Sequence, residues 1–173
     1  MTDEIICATC GRTHPVTESE LAFGLPDVVF DLPESERAER CKIGEDIVSL
    51  DDRTFFLRGL LPLKVAGRAR EYCIGVWAEV SEDVLSRVLE LWDDSDQSRE
   101  PTMAGTLANK VPFHSDTLGL GMAVQLTGPT TRPLFFLDET DHTLYIEQSR
   151  GIDEHRAIEY SDPEARRAAV ERQ

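Results

Sequence analysis

Nowhere in the 173 residues does an apolar run approach the roughly 20 positions that a membrane span requires. The opening Met1-Thr2-Asp3-Glu4 has neither the basic start nor the apolar core of a secretory signal. Both absences lead to the expectation of a cytoplasmic protein with no membrane partner. Basic residues are scarce as well: 18 Lys and Arg stand against 33 Asp and Glu, a formal net charge of -15. A surface of that sign repels phosphate backbones and anionic lipid, which excludes nucleic acid as a partner and favours a basic protein. There is no G-x-S-x-G turn, no glycine-rich phosphate loop and no paired-carboxylate pattern, so the common hydrolase and nucleotide signatures are missing. Internal repeats and linkers are missing too. The length suits one domain, residues 1–173, with its own core.

What is present begins with Cys7-Ala8-Thr9-Cys10-Gly11, followed by His14. Two cysteines separated by two residues can aim both sulfurs at one ion, and the glycine accepts the tight turn around it. In an unexported chain with only four cysteines, close pairs point to metal or redox chemistry rather than to a disulfide scaffold. A thioredoxin-type motif needs its first cysteine at a helix start, and Gly11 and Pro15 fall where that helix would run. The expectation is therefore a structural zinc held by Cys7, Cys10, His14 and Cys41 in a Cys/His turn over residues 1–17. Zinc accepts sulfur and nitrogen together in a closed tetrahedron, whereas calcium and magnesium ask for oxygen. The alternative is a packed turn with free thiols. Cys73 is set aside because alternation turns it away from Tyr72 and Ile74.

Further along, residues 18–32 read as a surface-wrapping segment with at most one helical turn. Asp31 caps a short helix with Pro33 in its first turn, running to Arg40 and placing Cys41 at its end. Residues 46–50, 54–65 and 72–80 read as strands. In the second, Phe55, Leu57, Leu61 and Leu63 share the odd face; in the third, Tyr72, Ile74, Val76 and Val80 share the even face. An antiparallel pairing of the two must have an odd sum of residue numbers. The expected register sums to 137, with Leu61 opposite Val76, Arg58 opposite Glu79 and a loop over 66–71. Ser81 caps the next helix, whose stripe of Val84, Leu85, Val88, Leu89 and Trp92 faces the core. A strand over 102–108 leads into a polar connection, 109–117. A hairpin follows, 120–127 with 132–138, burying Met122, Val124, Leu126, Leu134 and Phe136. Asp141 caps a helix that ends at Gly151, His155 reads as a surface residue, and residues 161–173 form a last charged helix. The tally is a single α+β domain, a mainly antiparallel sheet with short helices at its edges.

Catalysis, if the chain performs any, would use His114 with Asp116 or His142 with Asp141, since imidazole needs a carboxylate to fix its tautomer before it can act as a base. Neighbours in sequence rarely deliver that geometry, and alternation would send Ser115 away from His114. A hydrolase-like enzyme is thus the lesser reading beside a binding or structural module.

Read in series, several groups of residues carry a resemblance. They are Cys7, Cys10, Gly11 and His14, then Phe55-Phe56-Leu57-Arg58-Gly59, Gly75-Val76-Trp77, Gly105, Pro112 and Asp116-Thr117-Leu118-Gly119-Leu120. Arg132-Pro133 follow, with His142, Leu144, Glu147, Gln148, Gly151 and Ile152 after them. The chain resembles a bacterial family known as domain of unknown function 2199, with departures at Ile47, Thr106 and Thr143. The resemblance implies a class of sequence and no particular chemistry.

The charge balance generates one prediction. Purified protein will not retard random duplex DNA at physiological salt; salt-sensitive binding at about micromolar concentration contradicts the expectation.

Overall fold

A computed structural model describes residues 4–6, 13–15 and 20–171, with the backbone alone for 4–6 and 14–15. The elements run β1 (Glu4–Ile6), β2 (Thr13–Pro15), α1 (Asp27–Phe30), α2 (Glu34–Arg40), β3 (Cys41–Ile43), β4 (Ile47–Leu50), β5 (Thr54–Leu63) and β6 (Tyr72–Val80). Then come α3 (Glu82–Glu90), β7 (Met103–Leu107), β8 (Gly121–Gln125), β9 (Leu134–Leu137), α4 (Thr143–Arg150), α5 (Glu154–Ser161) and α6 (Pro163–Glu171). β1 and β2 form an antiparallel hairpin of their own. The remaining strands make one sheet in sequence order, β3 to β9, antiparallel at each consecutive step. A single parallel pairing, Leu60 with Leu134, joins β9 back to β5 and closes β5–β9 into a barrel. The domain is α+β, as its pattern of strands with peripheral helices implies.

Closure rests on how β5 uses its edges. β6 takes one edge over nine residue pairs, from Phe55 with Val80 to Leu63 with Tyr72. The other edge is shared. Arg58 N–H donates to Asp46 O at 2.9 Å beside β4, and Leu60 N–H donates to Pro133 O at 2.9 Å beside β9. Gly59 sits at the hand-over because nothing larger fits: a Cβ there would lie 2.3 Å from Cζ of Phe135, whose ring is fully buried.

Both faces of β5 and β6 are covered. The odd face of β5 and the even face of β6 build the main core with Leu57, Leu61, Ile74, Val76 and Phe135. Phe56 and Trp77, on the opposite face, pack with Val29, Val48 and Leu50 under α1. Fully burying each such side chain contributes about 1.5–3 kcal/mol. Asn109, wholly buried, ties this layer together: its Oδ1 accepts from Trp77 N–H, and its amide donates to Leu25 O and Asp27 Oδ1.

Several expectations need correction. The β5–β6 parity is as expected, but the register sums to 135, so Leu61 faces Ile74, Val76 faces Gly59 and Arg58 faces Trp77. The reason lies at the hairpin end, where residues 64–66 leave β6 and pair with Ile152; Ile152 N–H donates to Lys64 O and Ala66 N–H to Ile152 O. In β9 the buried residues are Phe135 and Leu137, and Phe136 is 41% exposed. Asp31 ends α1 and does not cap α2, whose N-cap is Pro33; α4 is capped by His142, not Asp141. Trp92 lies past the end of α3 and is 39% exposed, with Leu91 buried in its place. The connection 109–117 buries Asn109, His114 and Thr117. Helix α5, unanticipated, is capped by Asp153 and buries Ala157, Ile158 and Tyr160.

Gly59→Ala will lower stability by about 1–3 kcal/mol or more, because the added methyl must displace a ring that has no room to move. Denaturant unfolding checks this, and a loss within error of zero would show that β5 and Phe135 are not in contact as described.

Candidate functional site

The turn from β7 to β8 carries Phe113, whose φ of 73° is a left-handed conformation that a side-chain-bearing residue rarely adopts. Its ring is held edge-on to Tyr160 at 5.5 Å, with the Arg156 guanidinium 5.0 Å away on its face. This bend turns His114 inward, leaving its side chain 1% exposed.

There α4 and α5 supply its partners. Nδ1 of His114 lies 2.6 Å from Thr143 Oγ1, and Nε2 lies 2.7 Å from the Tyr160 hydroxyl. Tyr160 donates its one proton to Glu147 Oε2 at 2.5 Å, so its oxygen accepts from Nε2–H of His114. In the neutral ring Nδ1 then accepts from Thr143. Glu147 completes the network through Oε1, which receives Arg156 Nε at 2.8 Å. Burial alone would raise the Glu147 carboxyl, but the His114 ring, whose Nε2 lies 3.4 Å from Oε2, the Tyr160 hydrogen bond and the charge on Arg156 outweigh it and hold the group below its ordinary range. Burial, then the Glu147 charge and its hydrogen bond, push the Tyr160 hydroxyl well up, which keeps it a donor.

His142 stands nearby, its ring centroid 6.1 Å from that of His114. Its Nδ1 accepts Leu144 N–H at 3.1 Å, the cap of α4, and its Nε2 lies 3.3 Å from Ser115 Oγ. A neutral imidazole with Nδ1 occupied as an acceptor carries its proton on Nε2. That nitrogen donates to Ser115 and cannot take the hydroxyl proton from it. A cavity of about 440 Å³ opens beside His114 and Ser115, walled by Lys110, Phe113 and by Val170 of α6.

The structure thus brings His114 and His142 together but not with the carboxylates expected of them. Asp116 Oδ1 accepts from Leu118 N–H in an exposed turn, and Asp141 meets the Thr140 hydroxyl at 3.5 Å. Sequence reasoning set Ser115 aside and missed Thr143, Glu147, Arg156 and Tyr160 as partners; the signal available was the apolar spacing that marks α5. His155 pairs with Glu159 one turn along that helix.

Of the expected zinc ligands, Cys7 and Cys10 lie outside the described residues. His14 occupies β2 opposite Ile5. Cys41 follows α2 as expected, half-buried against the layer containing Val48 and Leu50, and burial pushes its thiol up. Among the described residues no group of three or more His, Cys, Asp or Glu is placed to hold a metal.

A family model described as an uncharacterized protein conserved in bacteria matches residues 6–152. The chain belongs to this family, domain of unknown function 2199. No curated protein and no solved structure matches it. The family match covers His114, Ser115, His142, Thr143 and Glu147, whereas Arg156 and Tyr160 lie beyond residue 152. In this domain of unknown function 2199 protein, the polar network is therefore completed by α5, outside the matched span.

Because the Glu147 pKa is depressed in the folded state, its contribution to stability is present above the ordinary carboxylate range and is lost as pH falls through the folded pKa. Glu147→Gln will cost about 1.5–3 kcal/mol at pH 7, and the gap to the wild type will close in acid. Unfolding measured between pH 7 and pH 3 checks this; a gap that stays constant with pH contradicts it.

Proposed function

We propose that this protein is a non-catalytic binding module. One observation carries the reading: His142 takes the Leu144 amide on Nδ1, which leaves Nε2 a donor toward Ser115 and deprives the site of a general base. The His114 network supports it in turn, since Thr143, Tyr160 and Glu147 engage both ring nitrogens.

The partner is a basic protein. Arg40, Arg68, Arg87, Arg132 and Arg156 each pair with a carboxylate of the chain itself, so the surplus acid behind the net charge of -15 stays free to meet positive charge from elsewhere. We propose a cytoplasmic setting, and a structural zinc on Cys7 and Cys10 with His14 and Cys41 fastening the N-terminal arm. The chemistry of that donor set is what supports zinc over a hard cation.

Capture from the native host with the wild type and with a Ser115→Ala, His142→Gln double variant tests the reading. Both will retain one stoichiometric basic protein, released at about 0.5 M salt. No captured protein, together with turnover in a broad hydrolase substrate screen that the double variant loses, contradicts it. Zinc near one equivalent, lost in Cys7→Ser Cys10→Ser, is the expected metal result; metal-free protein whose stability ignores a chelator is the contrary one.

A further inference from the structure

A second cavity, of about 740 Å³, lies where β5 passes its edge from β4 to β9, bounded by α3 and by the turn between β8 and β9. Its volume falls in the range of about 300–1,000 Å³ typical of small-molecule sites. Of its lining residues, Leu60, Pro133 and Leu134 are partly exposed and give it an apolar wall, and the half-exposed Trp92 lines it too.

Two arginines line it, and they differ. Arg132 is spent: its Nε binds Asp46 Oδ1 at 3.0 Å, and Nη2 lies 3.8 Å from Glu45 Oε1. Arg58 makes no ion pair with any carboxylate among the described residues. Nη1 reaches only the backbone oxygen of Glu45, at 3.4 Å, and the guanidinium rests 5.7 Å from the centre of the Trp77 ring. Its Nε is buried without a hydrogen-bond acceptor. In a chain where acids outnumber bases almost two to one, a partly buried guanidinium beside an apolar wall, with no carboxylate partner among the described residues, is an anion-binding group. Glu45 and Asp46 at the same rim repel a second negative charge, which favours a monoanion over a phosphate.

We propose that this cavity binds a small monocarboxylic acid with an aromatic or branched apolar body, the carboxylate on Arg58 and the body against Leu60, Pro133 and Leu134. The inference goes beyond the binding-module reading, and neither depends on the other.

The full chain at pH 7 is titrated with 3-phenylpropionate, 4-methylpentanoate and the neutral 3-phenylpropionamide, followed by calorimetry and tryptophan fluorescence. Both acids will bind, the amide about tenfold more weakly or worse, and Trp92→Phe will diminish the fluorescence change while leaving the heat. Arg58→Gln will weaken the acids about tenfold and leave the amide where it was. Should Arg58→Gln fail to fold, the acid and amide comparison on the wild type decides alone. Equal binding of acid and amide, no binding of either acid at about 5 mM, or acid binding unchanged in a folded Arg58→Gln protein overturns the proposal.

Discussion

A strand has two edges, and β5 serves three partners. The constraint is met by dividing one edge: β4 pairs with Thr54 to Leu57, and β9 joins at Leu60. Gly59 lies between them with Phe135 filling the space its missing side chain leaves. Much of the architecture follows from that arrangement. The barrel closes there, α3 and α4 both pack on β5, and the fork between β4 and β9 opens the cavity that Arg58 lines.

How far this was legible in the sequence depends on which faces carry contrast. β5 and β6 alternate sharply enough to fix the parity of their pairing, and Tyr72–Val80 emerges with its expected bounds. The register was not legible, because residues 64–66 turn to Ile152, a contact nearly ninety positions away in the chain. Leu134-Phe135-Phe136-Leu137 offers four apolar residues in a row, so alternation cannot choose its inner face; the notch at Gly59 chooses Phe135. Closure itself needs a parallel contact between strands distant in sequence, and no local pattern announces it.

The candidate site divides in the same way. His114 and His142 were visible as residues able to carry chemistry, and the structure sets their rings near one another. Their partners were not visible, since Thr143, Glu147 and Tyr160 lie 29 to 46 positions from His114 and reach it only once α4 and α5 have docked. What those partners do is hold. Hydrogen bonds that close on one another in a low-dielectric interior fix α4, α5 and the bend at Phe113 as a unit. The cavity at the β4–β9 fork has the opposite character: its apolar wall meets a cation that has no carboxylate partner among the described residues. One cluster stabilises, and the other is where we propose that a small acid binds.

The division of the β5 edge is tested most directly by native-state hydrogen exchange at the Leu60 amide. Its bond to Pro133 O, at 2.9 Å, is the backbone link on the β9 side of the hand-over. The account predicts that Leu60 exchanges only on global unfolding, at the rate of the β5 amides bonded to β6. Rapid exchange at Leu60, as at an open sheet edge, while the β5–β6 amides stay protected, would mean that the barrel is not closed at Gly59.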